Sequence, residues 1–164
     1  MKIPSVQQIR AADQFTIENE PISSLDLMER ASRVFCEYLK EFIDKDKAIA
    51  ICCGKGNNGG DGLAVARLLS NEGYSVEVFI LNYINNSSPD FELNFKRLKD
   101  IGVNQIKEGD TLPILSRYDY IVDALWGSGL KREIIGYNEL FINAINNSAA
   151  KVISIDIPSG LHAD

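Results

Sequence analysis

The chain has 164 residues, the size of one domain, and its 45% hydrophobic and 24% charged composition is that of a globular protein with a sizeable core. Seventeen Lys and Arg against 23 Asp and Glu leave a net charge of −6, which argues against a nucleic-acid surface but permits a small anion held by backbone amides. There is no run of about 18 apolar residues, so a membrane span is not expected, and residues 1–5 lack the apolar core of a secretion signal. Three cysteines show no metal-type spacing and no even-numbered disulfide framework, so Cys36, Cys52 and Cys53 read as reduced thiols of a cytoplasmic protein.

Ser5 is placed to cap a first helix carrying Val6, Ile9, Arg10, Asp13 and Ile17. A second helix starts after Pro21, near Ser23 or Ser24. Its apolar positions Leu25, Met28, Ala31, Phe35, Leu39 and Phe42 fall mostly three or four apart. Met28, Tyr38 and the aromatic residues of this helix are expected in the core.

From Lys47 the order becomes strand, loop, helix. Strands are predicted at 48–53, 75–81, 103–106, 120–125 and 152–156. Helices are predicted at 61–72, ending at Gly73, then around Phe91, Phe95 and Leu98 after an Asn- and Ser-rich loop over 82–89, and at 138–147. In the last of these Leu140, Phe141, Ala144 and Ile145 share one side. Cys52 and Cys53, adjacent in the first strand, should point to opposite faces. Apolar strands alternating with amphipathic helices imply a mainly parallel sheet with helices on both faces, a Rossmann-like three-layer sandwich preceded by two N-terminal helices. Strand order 3-2-1-4-5 is expected, with right-handed crossovers and a ligand crevice at the carboxyl ends of the first and fourth strands.

Three polar, glycine-rich segments lie at those ends. The first is Gly54-Lys55-Gly56-Asn57-Asn58-Gly59-Gly60-Asp61-Gly62, after strand one. So many glycines disfavour a regular interior and read as a loop whose amides face a bound group. The second is the run 123–130, from Asp123 through Trp126-Gly127-Ser128-Gly129-Leu130. The third is Asp156-Ile157-Pro158-Ser159-Gly160. Gly54-x-Gly56-x-x-Gly59 formally matches a dinucleotide fingerprint. The acid that fingerprint requires should stand at the end of strand two, however, and Glu77 lies inside that strand. Asp61 alone could be a helix-start acid complementing the dipole, and Asp123 or Asp156 alone a turn residue. Their convergence favours a site. Asn amides, Asp carboxylates and Ser hydroxyls are hard oxygen donors suited to Mg²⁺, Ca²⁺ or an alkali cation rather than zinc. The one histidine, His162, reads as a solvated surface residue.

The chain resembles the YjeF N-terminal domain family, the NAD(P)H-hydrate epimerases, over almost its whole length, and 1–164 reads as one such domain. The resemblance rests on Leu25-Asp26-Leu27-Met28-Glu29-Arg30-Ala31, on 54–62, on 122–130 and on Ser154-Ile155-Asp156-Ile157-Pro158-Ser159-Gly160, in that order. Trp126 stands where family members more often have Phe. The family domain typically runs on past the Pro-Ser-Gly loop with further strands, so the chain reads as truncated at its C-terminus. The resemblance implies an isomerase that interconverts the R and S forms of NADHX and NADPHX, nicotinamide cofactors hydrated at C6, for repair by an S-specific dehydratase. That dehydratase is fused to the domain in some bacteria. A homodimer is also implied.

The implied substrate contacts are Asn57, Asn58, Gly59, Gly60 and Asp61, then Gly127, Ser128, Gly129, Leu130, Lys131, Arg132 and Glu133, and Asp156, which is also the best candidate for the catalytic acid–base group because it ends the strand that faces the crevice. The implied K⁺ ligands are Asn58, Asp123 and Ser159. Two rival readings are an NAD(P)-dependent oxidoreductase or other nucleotide-binding domain, and a non-catalytic scaffold like the YjeF-type domain of decapping enhancers. Asp61 at the helix start and the missing substrate domain disfavour the oxidoreductase. The retained polar loops disfavour the scaffold.

Overall fold

The computed structural model describes residues 4–82 and 86–164. They form a five-stranded, wholly parallel sheet in the order β3-β2-β1-β4-β5. The strands are β1 (Ala48–Cys53), β2 (Ser75–Leu81), β3 (Gly102–Ile106), β4 (Tyr120–Ala124) and β5 (Lys151–Ser154). β1, at the centre, has no exposed residue, because both its faces are covered. β5 is shorter than expected: pairing ends at Asp123 opposite Ser154, so Asp156 stands in the turn beyond the strand.

On one face pack α2 (Ser24–Lys40), α3 (Asn57–Asn71) and α4 (Pro89–Arg97), burying Cys36, Leu39, Leu63, Leu69 and Phe91 against Ile49, Ile51, Cys53, Val78 and Val122. On the other, α5 (Tyr137–Asn146) and a short 3-10 turn (Leu115–Arg117) cover Ala50, Cys52, Phe79 and Ile121 with Phe141, Ile145 and Leu115. Cys52 and Cys53 therefore do face opposite layers, and burial raises both thiols, as it raises Cys36 to about 12. α1 (Val6–Asn19) begins with a capping box between Ser5 and Gln8 and buries none of its residues. Ser23 and Ser88 cap α2 and α4 through their hydroxyls. Of the loop 82–89, positions 83–85 lie outside the described residues.

The structure corrects several sequence-based expectations. α3 starts at Asn57, not 61, so most of the glycine-rich segment is the first turns of a helix. These glycines serve contact rather than looseness. A Cβ on Gly59 would lie 1.8 Å from the Gly54 carbonyl oxygen, and one on Gly62 would lie 2.6 Å from Ala124 Cβ and 2.7 Å from Cys53 Sγ. Glycine lets α3 sit directly on the ends of β1 and β4, and that packing outweighs poor helix propensity. The buried stripe of α2 is Met28, Ser32, Cys36 and Leu39, while Ala31 and Tyr38 are exposed. Leu140 of α5 is likewise exposed.

Candidate active site

α3 opens at Gly56, whose residue type supplies no side-chain cap. Its first intrahelical bond runs from the Gly60 N–H to the Gly56 carbonyl. The preceding N–H groups of Asn57, Asn58 and Gly59 are those a helix start leaves for a ligand, at the positive end of its dipole.

Beside it, the ends of β4 and β5 are locked together through Asp123, a buried carboxylate. It accepts hydrogen bonds from the Ser159 N–H (2.8 Å), the Ser159 hydroxyl (2.6 Å), the Ser154 hydroxyl (3.2 Å) and the Leu125 N–H (3.2 Å). Ser159 Oγ also accepts the Trp126 N–H at 2.9 Å and lies 3.0 Å from the Trp126 carbonyl oxygen. One hydroxyl proton cannot serve both that carbonyl and Asp123, so oxygen lone pairs are in excess here. The Gly54 N–H bonds to the Ala124 carbonyl at 3.0 Å, which ties the start of the glycine-rich segment to this cluster. In that segment, the Asn58 side chain has both its oxygen and its nitrogen buried without a hydrogen-bond partner among the described residues. An orphaned amide, a carboxylate, a hydroxyl and a backbone carbonyl are a donor set that fits an alkali cation.

Asp156 and Asp61 face the same cavity, of about 950 Å³, in different surroundings. Asp156 Oδ2 accepts the Ser128 N–H at 2.6 Å. The approach depends on Gly127, where a Cβ would meet the same oxygen at 2.4 Å. Asp61, in the second turn of α3, has no ion pair or hydrogen bond to its carboxyl among the described residues. Burial, then the negative charge of Asp156, with smaller effects of Asp90 and Asp13, pushes its pKa from 3.8 up to about 7.

The cavity brings together Asn57, Asn58, Asp61, Gly127, Ser128, Gly129, Leu130 and Asp156. Gly59 and Gly60 are buried within α3 and do not line it, because they pack on Gly54 and Met28. Lys131 lines a small neighbouring cleft with Arg10 and His162. Arg132 and Glu133 are exposed beyond both. Asp123 and Ser159 do not line the cavity; Ser159 is tied to it through Trp126, a lining residue whose N–H it accepts. Sequence reasoning missed the opposite wall: Ile9, Arg10 and Asp13 of α1, and Ala31, Val34, Phe35 and Tyr38 of α2. The signal was a second apolar stripe on α2, offset by a residue or so from the buried one. Glu77, too deep in β2 for a ribose-binding acid, is held instead by Asn104, Arg117 and Tyr118.

The protein-family model described as YjeF-related protein N-terminus matches residues 24–164. The chain is 37% identical to the NAD(P)H-hydrate epimerase of Oenococcus oeni over 98% of its length, covering 75% of that protein. It is 38% identical to the protein of the same name from Limosilactobacillus reuteri over 99%, covering 76%. It is 36% identical, over its full length, to the bifunctional NAD(P)H-hydrate repair enzyme Nnr of Thermofilum pendens, of which it spans 32%. The crystal structure of yeast YNL200c superposes with a TM-score of 0.81 at 24% identity, covering all of this chain and 73% of that one, and so shares its fold. A family model matched over residues 24–164 and relatives 37% and 38% identical over nearly the full length show that the chain belongs to the YjeF-related N-terminal family.

Proposed function

We propose that the chain interconverts the R and S forms of NAD(P)H hydrate, the reaction named in its epimerase relatives. The observation that carries this reading is the pairing of Asp61 and Asp156 across one cavity, the first without a hydrogen bond among the described residues and raised to about 7, the second bonded to a backbone amide. Two carboxyls in unlike surroundings divide into an acid and a base. C6 of the hydrate bears a hydroxyl beside the ring nitrogen, and inversion there needs no redox partner.

In this mechanism the protonated Asp61 gives its proton to the C6 hydroxyl. The C6–O bond breaks, water leaves, and the nitrogen lone pair takes up the positive charge as an iminium. Water then adds to the opposite face and passes its proton to the Asp156 carboxylate. One proton has moved from Asp61 to Asp156 and is restored through solvent. The amides of Asn57 and Asn58 hold the pyrophosphate, with Arg10, whose guanidinium lies on the Gly129 turn, as a second phosphate contact. Phe35 and Trp126 give the rings an apolar wall. Asn58, Asp123 and Ser159 would hold K⁺. Bound there, the cation supplies positive charge that offsets Asp123 close to the anionic substrate.

The bifunctional NAD(P)H-hydrate repair enzyme of Thermofilum pendens, of which the chain spans 32%, supports a place for this domain beside a second repair activity, which we take to be the dehydratase. Chiral chromatography of R-NADHX and R-NADPHX incubated with the protein tests the reading. The S form should appear faster than in buffer, and equal rates with and without protein would overturn it.

A further inference from the structure

A second concave site lies at the other end of α3. A groove of about 450 Å³ is lined by Glu29 of α2, Arg67 and Asn71 of α3, Lys96 and Arg97 of α4, and Lys99 just beyond it. Ten residues separate Asn57 from Arg67, so the groove lies roughly 15 Å along the helix from the crevice.

Its electrostatics are one-sided in a chain whose net charge is −6. Glu29 pairs with Arg67, with Arg33 at 2.9 Å, and with Arg97 at 3.9 Å. Lys96 and Lys99 have no carboxylate partner among the described residues to reduce the excess, and both are exposed on the rim. The C-terminal end of the α4 dipole favours Lys96 and Arg97 in its last turn. It does not account for Arg67, which sits in the third turn of another helix. Arg67 is mostly buried, and its Nε is fully buried without a hydrogen-bond partner among the described residues. A buried guanidinium N–H without an acceptor costs free energy that a bound anion would recover. Four cationic side chains against one carboxylate match a multiply charged oxyanion better than a single carboxylate group.

We infer that this groove between α2, α3 and α4 binds a diphosphate group, free or carried by a nucleotide, independently of the epimerase crevice. The test is a titration of the ¹⁵N-labelled chain with inorganic pyrophosphate, followed by backbone amide and arginine Nε–H resonances, with sodium chloride at matched ionic strength as control. Saturable shifts are expected at Arg67 Nε–H, Asn71, Lys96, Arg97 and Lys99. Lys96→Gln combined with Lys99→Gln, on the exposed rim, should weaken that binding at least about tenfold while leaving shifts at residues 56–61 unchanged. A parallel titration with ADP identifies the source: tighter saturation of the groove by ADP assigns a nucleotide, and tighter saturation by pyrophosphate assigns the free anion. Shifts confined to the crevice, shifts reproduced by chloride, or a double variant that binds as wild type would each overturn the proposal.

Discussion

Asp156 and Asp61 share a cavity, yet substitution should separate them. Asp156→Asn keeps an acceptor for the Ser128 N–H, so the turn should survive. Losing the base should slow epimerisation by about two orders of magnitude or more with binding retained. A wild-type rate in a folded variant would remove Asp156 from the chemistry. Asp61 acts through its proton, so in the wild type the rate should decline as pH rises past about 7. Asp61→Asn should be slow at all pH values, and the alkaline decline should disappear.

The same raised pKa makes a separate prediction for stability. Asp61 takes up a proton on folding between its ordinary 3.8 and about 7. Stability is therefore greatest below that window and is lost as pH rises through it, by at most about 1.4 kcal/mol per unit. Thermal unfolding should show Asp61→Asn more stable than wild type at pH 8 and equal to it near pH 4. Equal stability at both would mean that Asp61 is not held protonated. At this scale the sequence revealed which residue types converge. It did not reveal that Gly127 exists to admit Asp156, or that Arg10 and Asp13 come from a helix with no buried face. Both facts depend on distances between elements remote in the chain.

α3 is where local propensity and tertiary packing disagree most. Five glycines in nine residues suggest a loop, and the chain forms helix there because backbone must touch backbone. The contacts predict a ranking of alanine substitutions. Gly59→Ala, which meets an immovable carbonyl at 1.8 Å, should cost most. Gly62→Ala follows, against Ala124 and Cys53, by the 1–3 kcal/mol that overpacking typically costs. Gly60→Ala meets the flexible end of Met28 at 3.1 Å and the Phe91 backbone nitrogen at 3.3 Å, so it should cost less than Gly62→Ala, and Gly56→Ala, which meets nothing within 4 Å, should be mildest. Denaturant unfolding of the four variants checks the order, and a Gly59→Ala protein as stable as Gly56→Ala would contradict it. Elements set by simple periodicity were legible to within a residue or two, as with β1, β2 and α5. α2 was placed correctly but its two apolar faces were read as one: Met28 and Leu39 are buried as expected, while Ala31 and Tyr38 face the crevice, and hydrophobic spacing cannot separate the two.

Across the whole molecule, strand order decides which loops meet. The order 3-2-1-4-5 follows from alternating strands and helices, and it puts the glycine-rich helix start beside the Asp123 and Ser159 turns. A cation held there would join α3 to the ends of β4 and β5, so its binding should register as global stability. A ligand that binds only the folded chain stabilises it by RT ln(1 + [L]/Kd), about 1.4 kcal/mol for each tenfold rise in concentration beyond Kd. Unfolding midpoints should therefore climb with KCl and stay flat with LiCl at equal ionic strength, since the small, strongly hydrated Li⁺ suits such an oxygen set poorly. Asn58→Ala removes an amide that has no partner to lose among the described residues. It should leave stability in LiCl nearly unchanged and abolish the dependence on K⁺. If the wild type responds alike to both salts, the oxygen cluster is a structural lock sustained by hydrogen bonds alone. If Asn58→Ala retains the K⁺ response, the cation binds without contact to α3, and the link between the helix start and the two strand ends rests on glycine packing.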